Sequence, residues 1–315
     1  MRILVMGAGA LGSYFGGYLA RAGHRVLFVA RGKQLRALRE RGLTLLPLEG
    51  GSFTIQVDAA DTVSPMGVVD LILFCVKTYD TDGAVRLVAD AVGESTMVLT
   101  LQNGVDSMDS LNAAFGPKAI LGGISWVNAA VEEPGVVRHR YPGPLVFGEQ
   151  NATGSERTQA LKKTFMEAGI VAEVRDDIIR AIWEKFVFIC AVNGMTALTR
   201  LPVGPLLACQ ESRELFVDIM REVDAVAHQS GIDLADDTVE CTLRHMETEL
   251  PSGVLDTTLG SMYFDISSGR RLELEFLNGS VVRRGRRLGV STPANGLVYA
   301  ALKPWIHGRP VLNSV

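Results

Sequence analysis

The chain has 315 residues, of which 47% are hydrophobic and 21% are charged, and its formal net charge is −4. This length predicts two domains, and this composition predicts packed cores rather than disorder. The small negative charge gives no electrostatic basis for binding nucleic acid or an anionic membrane surface, so we expect neither as a partner.

The sequence gives no sign of secretion or of membrane insertion. Met1 is followed within six residues by a glycine motif, which leaves no room for a signal peptide, and apolar runs such as Leu71 to Val76 are far too short to cross a bilayer. The four cysteines form no C-x-x-C pair and have apolar neighbours, so we expect buried free thiols. These features predict a cytoplasmic protein.

In chain order, the first part of the sequence alternates short apolar runs with helical patterns, which is typical of parallel α/β architecture. The predicted strands are 3–6, 25–29, 69–76, 97–101, 119–124, 136–140, 144–147 and 170–174, and the segments 43–46 and 53–57 are expected to be extended excursions. The predicted helices are 11–22, 34–41, 81–92 and 156–168. Neighbouring proline and glycine residues favour edge positions for the strands 136–140 and 144–147.

From Asp177 onward the helical patterns lengthen and the strand signal fades. Breaks are expected at Asn193-Gly194, at Pro202–Pro205, at Gly231, at Pro251–Gly253 and at Ser267–Gly269. We therefore predict an α/β fold, in which an N-terminal Rossmann-type parallel-sheet domain (1–174) is followed by an all-helical C-terminal domain (175–315).

A glycine motif lies between the first strand and the first helix. It consists of Gly7, Ala8, Gly9, Ala10, Leu11 and Gly12. Its first glycine permits a tight turn, its second lets the backbone approach a pyrophosphate, and its third lets helix and strand pack closely. An ordinary strand–turn–helix is the alternative, but the flanking elements and the spacing to the second strand favour a dinucleotide site.

The residues after the second strand indicate which dinucleotide binds. An enzyme that uses NAD usually places an acidic residue there, whereas this chain has Arg31 and then Lys33. A guanidinium can bind a 2′-phosphate with two hydrogen bonds, so NADPH is the predicted cofactor. A solvated surface arginine is the alternative.

Polar residues follow two further predicted strands, Lys77 after 69–76 and Asn103 after 97–101. Ligands of open α/β sheets bind beyond the carboxyl ends of the strands, so both are candidates, although both could be ordinary turn residues. Lys185 and Asn193 lie two turns apart on one strongly apolar helical segment, and a lysine whose stem covers apolar surface is the alternative for Lys185.

Two other features are interpreted as structural. The run Arg283-Arg284-Gly285-Arg286-Arg287 is expected on the solvated face at the end of a helix that begins near Arg271. The five histidines have no metal-ligand spacing, and there is no G-x-S-x-G element, so neither a metal site nor a nucleophilic serine is expected.

Six motifs, which follow one another along the chain, resemble those of a known family. They are G-A-G-A-L-G at Gly7–Gly12 with Arg31, V-K-T-Y-D at Val76–Asp80, L-Q-N-G-V at Leu101–Val105, W-E-K at Trp183–Lys185, S-M-x-x-D at Ser261–Asp265 and E-L-E-F-L-N-G at Glu273–Gly279. Together they resemble the ketopantoate reductase (2-dehydropantoate 2-reductase) family over essentially the whole chain.

The resemblance implies a function and roles for individual residues. It implies NADPH-dependent reduction of 2-dehydropantoate to pantoate, a step of pantothenate biosynthesis, with Lys185 as the general acid. The substrate-side residues would be Asn103, Asn193, Ser261 and Glu273, the last binding the substrate hydroxyl or steadying the lysine. The cofactor-side residues would be Gly7, Gly9, Ala10, Leu11, Gly12, Arg31, Lys77 and Asn103.

Two positions depart from the family pattern. Ile189 stands where better-known members have an asparagine, and Leu272 stands where they tend to have a threonine. Reduction of another small 2-oxo acid is therefore a rival interpretation. A third interpretation is a protein that binds NADPH without turnover. A homodimer is the oligomeric state considered for the chain.

Overall fold

The computed structural model describes residues 1–310, which fall into two compact units. The first contains Met1–Gln102 and Ser107–Ala181, and the second contains Asn103–Asp106 and the chain from Ile182 onward. The sequence predicted one boundary after Val174, whereas the contacts divide the chain between residues 181 and 182. The last five residues of the predicted second domain, 311–315, lie outside the described residues.

The first unit contains an eight-stranded sheet that is mostly parallel. Its strands are Arg2–Met6 (β1), Arg25–Val29 (β2), Asp58–Ala60 (β5), Leu71–Phe74 (β6), Met97–Thr100 (β7), Ile120–Ser125 (β8), Leu145–Gly148 (β11) and Ala172–Val174 (β12). Alternate residues of β1 pack into two different apolar clusters, one on each face. Burial on both faces explains why these strands are continuous apolar runs in the sequence.

The strand order is β12-β11-β8-β7-β6-β1-β2-β5. From β1 the chain adds β2 and β5 on one side and then β6, β7 and β8 on the other, and all six strands are parallel. This is the doubly wound order of a Rossmann sheet, with its switch point between β1 and β6. The predicted Rossmann-type domain is confirmed.

The two predicted edge strands are wrong. β11 lies between β8 and β12, and its four residues are buried. The strand Val136–Tyr141 (β10) lies inside a second, four-stranded sheet, between Leu43–Leu46 (β3) and Asn128–Glu133 (β9), while Phe53–Ile55 (β4) forms one edge. The neighbouring prolines and glycines stand in the turns outside β10 and β11, so every strand N–H remains able to pair.

Helices surround these sheets in the first unit and make up the second. The first unit has Ala10–Arg21 (α1), Gly32–Arg41 (α2), Thr81–Val88 (α3), Ser107–Phe115 (α4) and Glu156–Glu167 (α5). Next come Ile178–Thr199 (α6), Val203–Ala208 (α7), Gln210–Gln229 (α8), Thr238–Arg244 (α9), Ser261–Ser267 (α10), Asn278–Leu288 (α11) and Pro293–Leu302 (α12). The described part of the second unit has no strand, so the predicted helical domain is confirmed. The sequence did not predict β5, β9 or α4.

The predicted break at Asn193-Gly194 is wrong, because α6 is continuous from Ile178 to Thr199. The Asn193 side chain donates a hydrogen bond to the carbonyl oxygen of Ile189, one turn back along the helix, at 3.0 Å. A Cβ on Gly194 would lie 2.9 Å from a methyl carbon of Val298. Glycine is therefore needed here for close helix packing, not for a turn.

Helix α6 is also the one described helix that is long and apolar enough to cross a membrane. Of its most apolar window, 78% is buried inside the protein, as expected for a core helix.

The expectation of four buried thiols is wrong for two of them. Cys209 and Cys241 are exposed, whereas Cys190 is buried and Cys75 is partly buried. The Cys241 thiol donates to the Asp237 carboxylate at 3.0 Å from the solvent side of α9. Apolar neighbours in sequence alternate around a helix, so they do not fix the burial of a single position.

The segment Asn103–Asp106 is fixed within the second unit by an ion pair. The Asp106 carboxylate accepts hydrogen bonds from Arg284 at 2.7 and 3.0 Å, from Ser280 at 2.9 Å and from Arg283 at 3.3 Å. The Arg284 side chain is only 17% exposed and lies over the ring of Trp183. The expectation that the whole arginine run is solvated is therefore wrong. The helix also begins at Asn278, later than expected.

We expect Asp106→Ala to destabilise the second unit by about 2 kcal/mol, because it removes the carboxylate from a largely desolvated guanidinium. Thermal unfolding monitored by circular dichroism measures the effect. Asp233→Ala is the matched control, since Asp233 is an exposed aspartate of the same unit, and it should change stability by less than about 0.5 kcal/mol. Equal melting temperatures for the two variants would contradict a stabilising role for this ion pair.

Candidate active site

The glycine turn after β1 is closely packed at Gly7 and Gly12 and open at Gly9. Gly7 has φ +102°, and a Cβ there would lie 2.8 Å from the backbone nitrogen of Val76. A Cβ on Gly12 would lie 2.2 Å from the Gly7 carbonyl oxygen, so α1 could not approach the turn with any larger residue. A Cβ on Gly9 would have no atom within 4 Å, which leaves open space beside this backbone.

The first turn of α1 offers backbone N–H groups to an anion. The helix begins at Ala10, and its first turn contains no acidic residue and no side-chain cap. The N–H groups at the start of a helix have no partner within the helix, and the helix dipole makes this end positive. Together with the open space at Gly9, this turn fits the pyrophosphate of a dinucleotide.

Arg31 follows β2 at the same edge of the sheet. It precedes the first residue of α2 in an extended conformation, and its side chain is exposed. Hydrogen bonds from Ala8 to Val29 and from Ala30 to Ala60 hold the end of β2 against its neighbours. An exposed guanidinium at this position can donate hydrogen bonds to a phosphate without first breaking other hydrogen bonds.

Lys77 lies after β6, at the same edge as the glycine turn. It is partly buried and precedes a 3-10 turn at Thr78–Asp80. The Gln102 side chain donates to the Val76 carbonyl oxygen at 3.1 Å and to the Thr81 hydroxyl at 2.9 Å. Gln102 thus ties the end of β7 to the chain around Lys77.

In the second unit the candidate acid Lys185 lies beside Asn103. Its ammonium donates to the Asn103 side-chain oxygen across 3.4 Å. Trp183 is buried and packs edge-to-face on Phe186, with ring centroids 5.5 Å apart. The W-x-K motif therefore combines an aromatic anchor on α6 with an amine on the same helix.

Burial lowers the pKa of Lys185 to about 8, because the charged ammonium loses solvation. An amine with this pKa is mostly protonated at neutral pH, yet it gives up its proton more readily than a solvated lysine. This is the range expected of a general acid or base that works near neutral pH.

The turn at Asn103-Gly104 has little freedom to move. Gly104 has φ +91°, and a Cβ there would lie 2.6 Å from the carbonyl oxygen of Phe276. Phe276 ends a 3-10 turn that Glu273 precedes, and Glu273 is 3% exposed. The structure therefore places Asn103 next to Lys185 and places Gly104 against the turn that begins after Glu273.

Asn193 and Ser261 form a second cluster. The Asn193 side-chain oxygen accepts from the Ser261 hydroxyl at 3.1 Å and from the Met262 backbone N–H at 3.0 Å. A Cβ on Gly260 would lie 2.7 Å from the Asn193 Cα, so the chain before α10 runs directly over α6. These contacts give both residues a structural task in holding the start of α10.

The sequence analysis missed the residues that position the candidate site. Asp106 and Arg284 fix the segment that carries Asn103, and Gly104 permits its close approach to Phe276. The only local signal was the Asn-Gly pair, which is equally typical of an ordinary turn. Among the side chains that the structure describes, no group of His, Cys, Asp or Glu is arranged to hold a metal ion.

Two family profiles and a curated relative match most of the chain. The family profiles "Ketopantoate reductase PanE/ApbA" and "Ketopantoate reductase PanE/ApbA C terminal" match residues 3–152 and 177–305. The 2-dehydropantoate 2-reductase of Pyrococcus horikoshii is 31% identical over 304 residues, which cover 96% of this chain and 97% of that protein.

Solved structures have the same fold. A PanE/ApbA family ketopantoate reductase from Ralstonia eutropha JMP134 superposes with a TM-score of 0.87 at 34% identity, covering 97% of this chain and 98% of the other. A ternary structure of D-mandelate dehydrogenase with NADH and anilino(oxo)acetate has a TM-score of 0.87 at 25% identity, with the same coverage. The chain therefore belongs to the ketopantoate reductase PanE/ApbA family of oxidoreductases.

Proposed function

We propose that this protein is a cytoplasmic enzyme that reduces 2-dehydropantoate to pantoate with NADPH. The observation that carries the proposal is the Lys185 amine, whose pKa burial lowers to about 8 and which lies 3.4 Å from the Asn103 amide oxygen. The curated relative from Pyrococcus horikoshii bears the name of this activity. Neither nucleic acid nor a membrane is a proposed partner.

The cofactor half of the proposal rests on the first unit. The glycine turn and the first turn of α1 would hold the pyrophosphate through backbone N–H groups, with Ala10 and Leu11 as the first two helical residues. Arg31 would bind the 2′-phosphate, and Lys77 would lie closer to the nicotinamide half because it follows β6, on the other side of β1. The exposed Arg31 supports NADPH over NADH.

When bound, the dihydronicotinamide supplies a hydride to the C2 carbonyl of a 2-oxo acid. Lys185 first stabilises the negative charge that develops on the carbonyl oxygen and then donates its proton to that oxygen. Asn103 orients the ammonium, because its side-chain oxygen accepts a hydrogen bond from one N–H group of Lys185. The positive charge of Lys185 also favours the substrate carboxylate, and Asn193, Ser261 and Glu273 are the proposed substrate-side residues.

A second candidate is the same chemistry on a different 2-oxo acid. Ile189 lies one turn after Lys185 on α6 and Leu272 directly precedes Glu273, and both are buried apolar side chains. An amide and a hydroxyl at these positions could serve a substrate hydroxyl, which isoleucine and leucine cannot. The D-mandelate dehydrogenase structure belongs to a relative whose name indicates a different substrate.

A panel of 2-oxo acids, assayed by oxidation of NADPH and of NADH, tests the proposal. We expect turnover of 2-dehydropantoate with NADPH to exceed that of every other pair. A higher kcat/KM on another 2-oxo acid would support the second candidate. Tight NADPH binding without any turnover would indicate a binding protein and contradict both.

Lys185→Ala should lower kcat by about 10²- to 10⁴-fold and leave the Kd for NADPH within twofold of wild type, because the amine acts on the carbonyl and not on the dinucleotide. In wild type, reduction needs the protonated amine. The kcat/KM for reduction should fall as the pH rises through about 8. The kcat/KM for the reverse oxidation should rise over the same range. Lys185→Arg is the control, since it keeps a cation that does not readily give up its proton. Normal turnover in Lys185→Ala would remove Lys185 as the acid.

Arg31→Asp should raise the KM for NADPH by roughly 10- to 100-fold, since it replaces a charge-assisted hydrogen bond with repulsion, and should lower the KM for NADH. Arg36→Asp makes the same charge change at an exposed position of α2, and we expect it to change neither constant by more than about threefold. Steady-state kinetics with both cofactors provide the measurement. A wild-type preference for NADH would refute this assignment.

A further inference from the structure

Trp126 is an exposed aromatic residue at the carboxyl edge of the large sheet. It directly follows β8, and its side chain is 40% exposed, although tryptophan is among the side chains that gain most from burial. The parallel register from β1 through β6 and β7 to β8 brings the end of β8 to the same edge as the glycine turn. Ligands of this fold bind along that edge.

The backbone around Trp126 is built to hold it there. Its N–H donates to the Pro144 carbonyl oxygen at 3.0 Å. A Cβ on Gly143 would lie 2.6 Å from the Trp126 Cβ and 2.7 Å from its carbonyl carbon. The two segments of the chain can approach this closely only because residue 143 is glycine. Their approach fixes the position of the Trp126 Cβ, from which the indole extends.

The strand order assigns Trp126 to one half of the dinucleotide site. Arg31 follows β2, on one side of β1, and marks the proposed 2′-phosphate of the adenosine half. β8 lies on the other side, three strands or about 14 Å from β1. In a doubly wound sheet a dinucleotide crosses the switch point, so its nicotinamide half would lie on the side of β1 that carries β6, β7 and β8. A group beside the nicotinamide is also beside the carbonyl that receives the hydride.

We propose that Trp126 is a specificity residue that packs against the substituent on C3 of the substrate. It would select 2-oxo acids with a branched or aryl group next to the oxo carbon over small linear ones such as pyruvate. This inference rests on the proposed reductase function and deepens it. 2-Dehydropantoate, which carries two methyl groups on C3, and an aryl 2-oxo acid both belong to this class.

Kinetics of Trp126→Ala and Trp126→Phe test the proposal. We expect Trp126→Ala to lower kcat/KM for a C3-branched or aryl 2-oxo acid by at least about tenfold, through KM more than kcat, because apolar contact to bulky groups is lost. The kcat/KM for pyruvate should change by less than about threefold. Trp126→Phe keeps an aromatic surface and should retain most of the selectivity. An equal loss on bulky and small substrates, or a weaker Kd for NADPH, would overturn the assignment.

Fluorescence gives a second readout that needs no turnover. The chain has three tryptophans, Trp126, Trp183 and Trp305. Titrating anilino(oxo)acetate into the protein saturated with NADP⁺ should change the emission of wild type and of Trp305→Phe, and this change should be lost in Trp126→Phe. If the ligand changes the emission of Trp126→Phe as much as that of wild type, the contact is refuted. If no 2-oxo acid is reduced, the proposed function fails, and this titration still decides whether Trp126 meets the ligand.

Discussion

The ion pair between Asp106 and Arg284 is the constraint on which the candidate acid depends. It holds a segment of four residues, directly after a strand of the first unit, within the helices of the second. Gly104 also restrains this segment through its close approach to Phe276. With both contacts in place, Asn103 remains next to Lys185, and the amine has a defined acceptor. Burial lowers the pKa of Lys185, while Asn103 provides an acceptor for one of its N–H groups.

The parts of the fold that could be predicted from the sequence are those that local chemistry decides. Strands buried on both faces are apolar runs, and β2 was predicted with its observed bounds. The glycine turn was predictable because Gly7 and Gly12 each answer a local steric need, visible as the 2.2 Å approach at Gly12. Asn103 was a candidate because it follows a predicted strand, whereas the role of Lys185 as the acid came from the family resemblance.

The remainder depends on contacts between residues far apart in sequence. The Asp106–Arg284 pair joins residues 178 positions apart, and a charged residue in a basic run gives no sign that it is partly buried. The Asn193-Gly194 pair has the composition of a turn, yet neighbouring helices require the small residue within α6. The predicted edge positions of β10 and β11 were wrong as well, since turn residues beside a strand do not reveal which strands pair with it. Tertiary packing overrode local preference at each of these positions.

The hydrogen bonds inside the second unit bear on how a substrate would be chosen. Asn193 and Ser261, which the resemblance assigns to substrate, are bonded to each other, and the Asn193 amide nitrogen donates to Ile189. Ile189 and Leu272 add no polar atom from their side chains. A buried hydroxyl left without a partner costs about 1–3 kcal/mol, whereas apolar groups gain from contact alone. Selection among 2-oxo acids should therefore depend more on the shape and size of the apolar substituent than on hydrogen bonds to a distal hydroxyl.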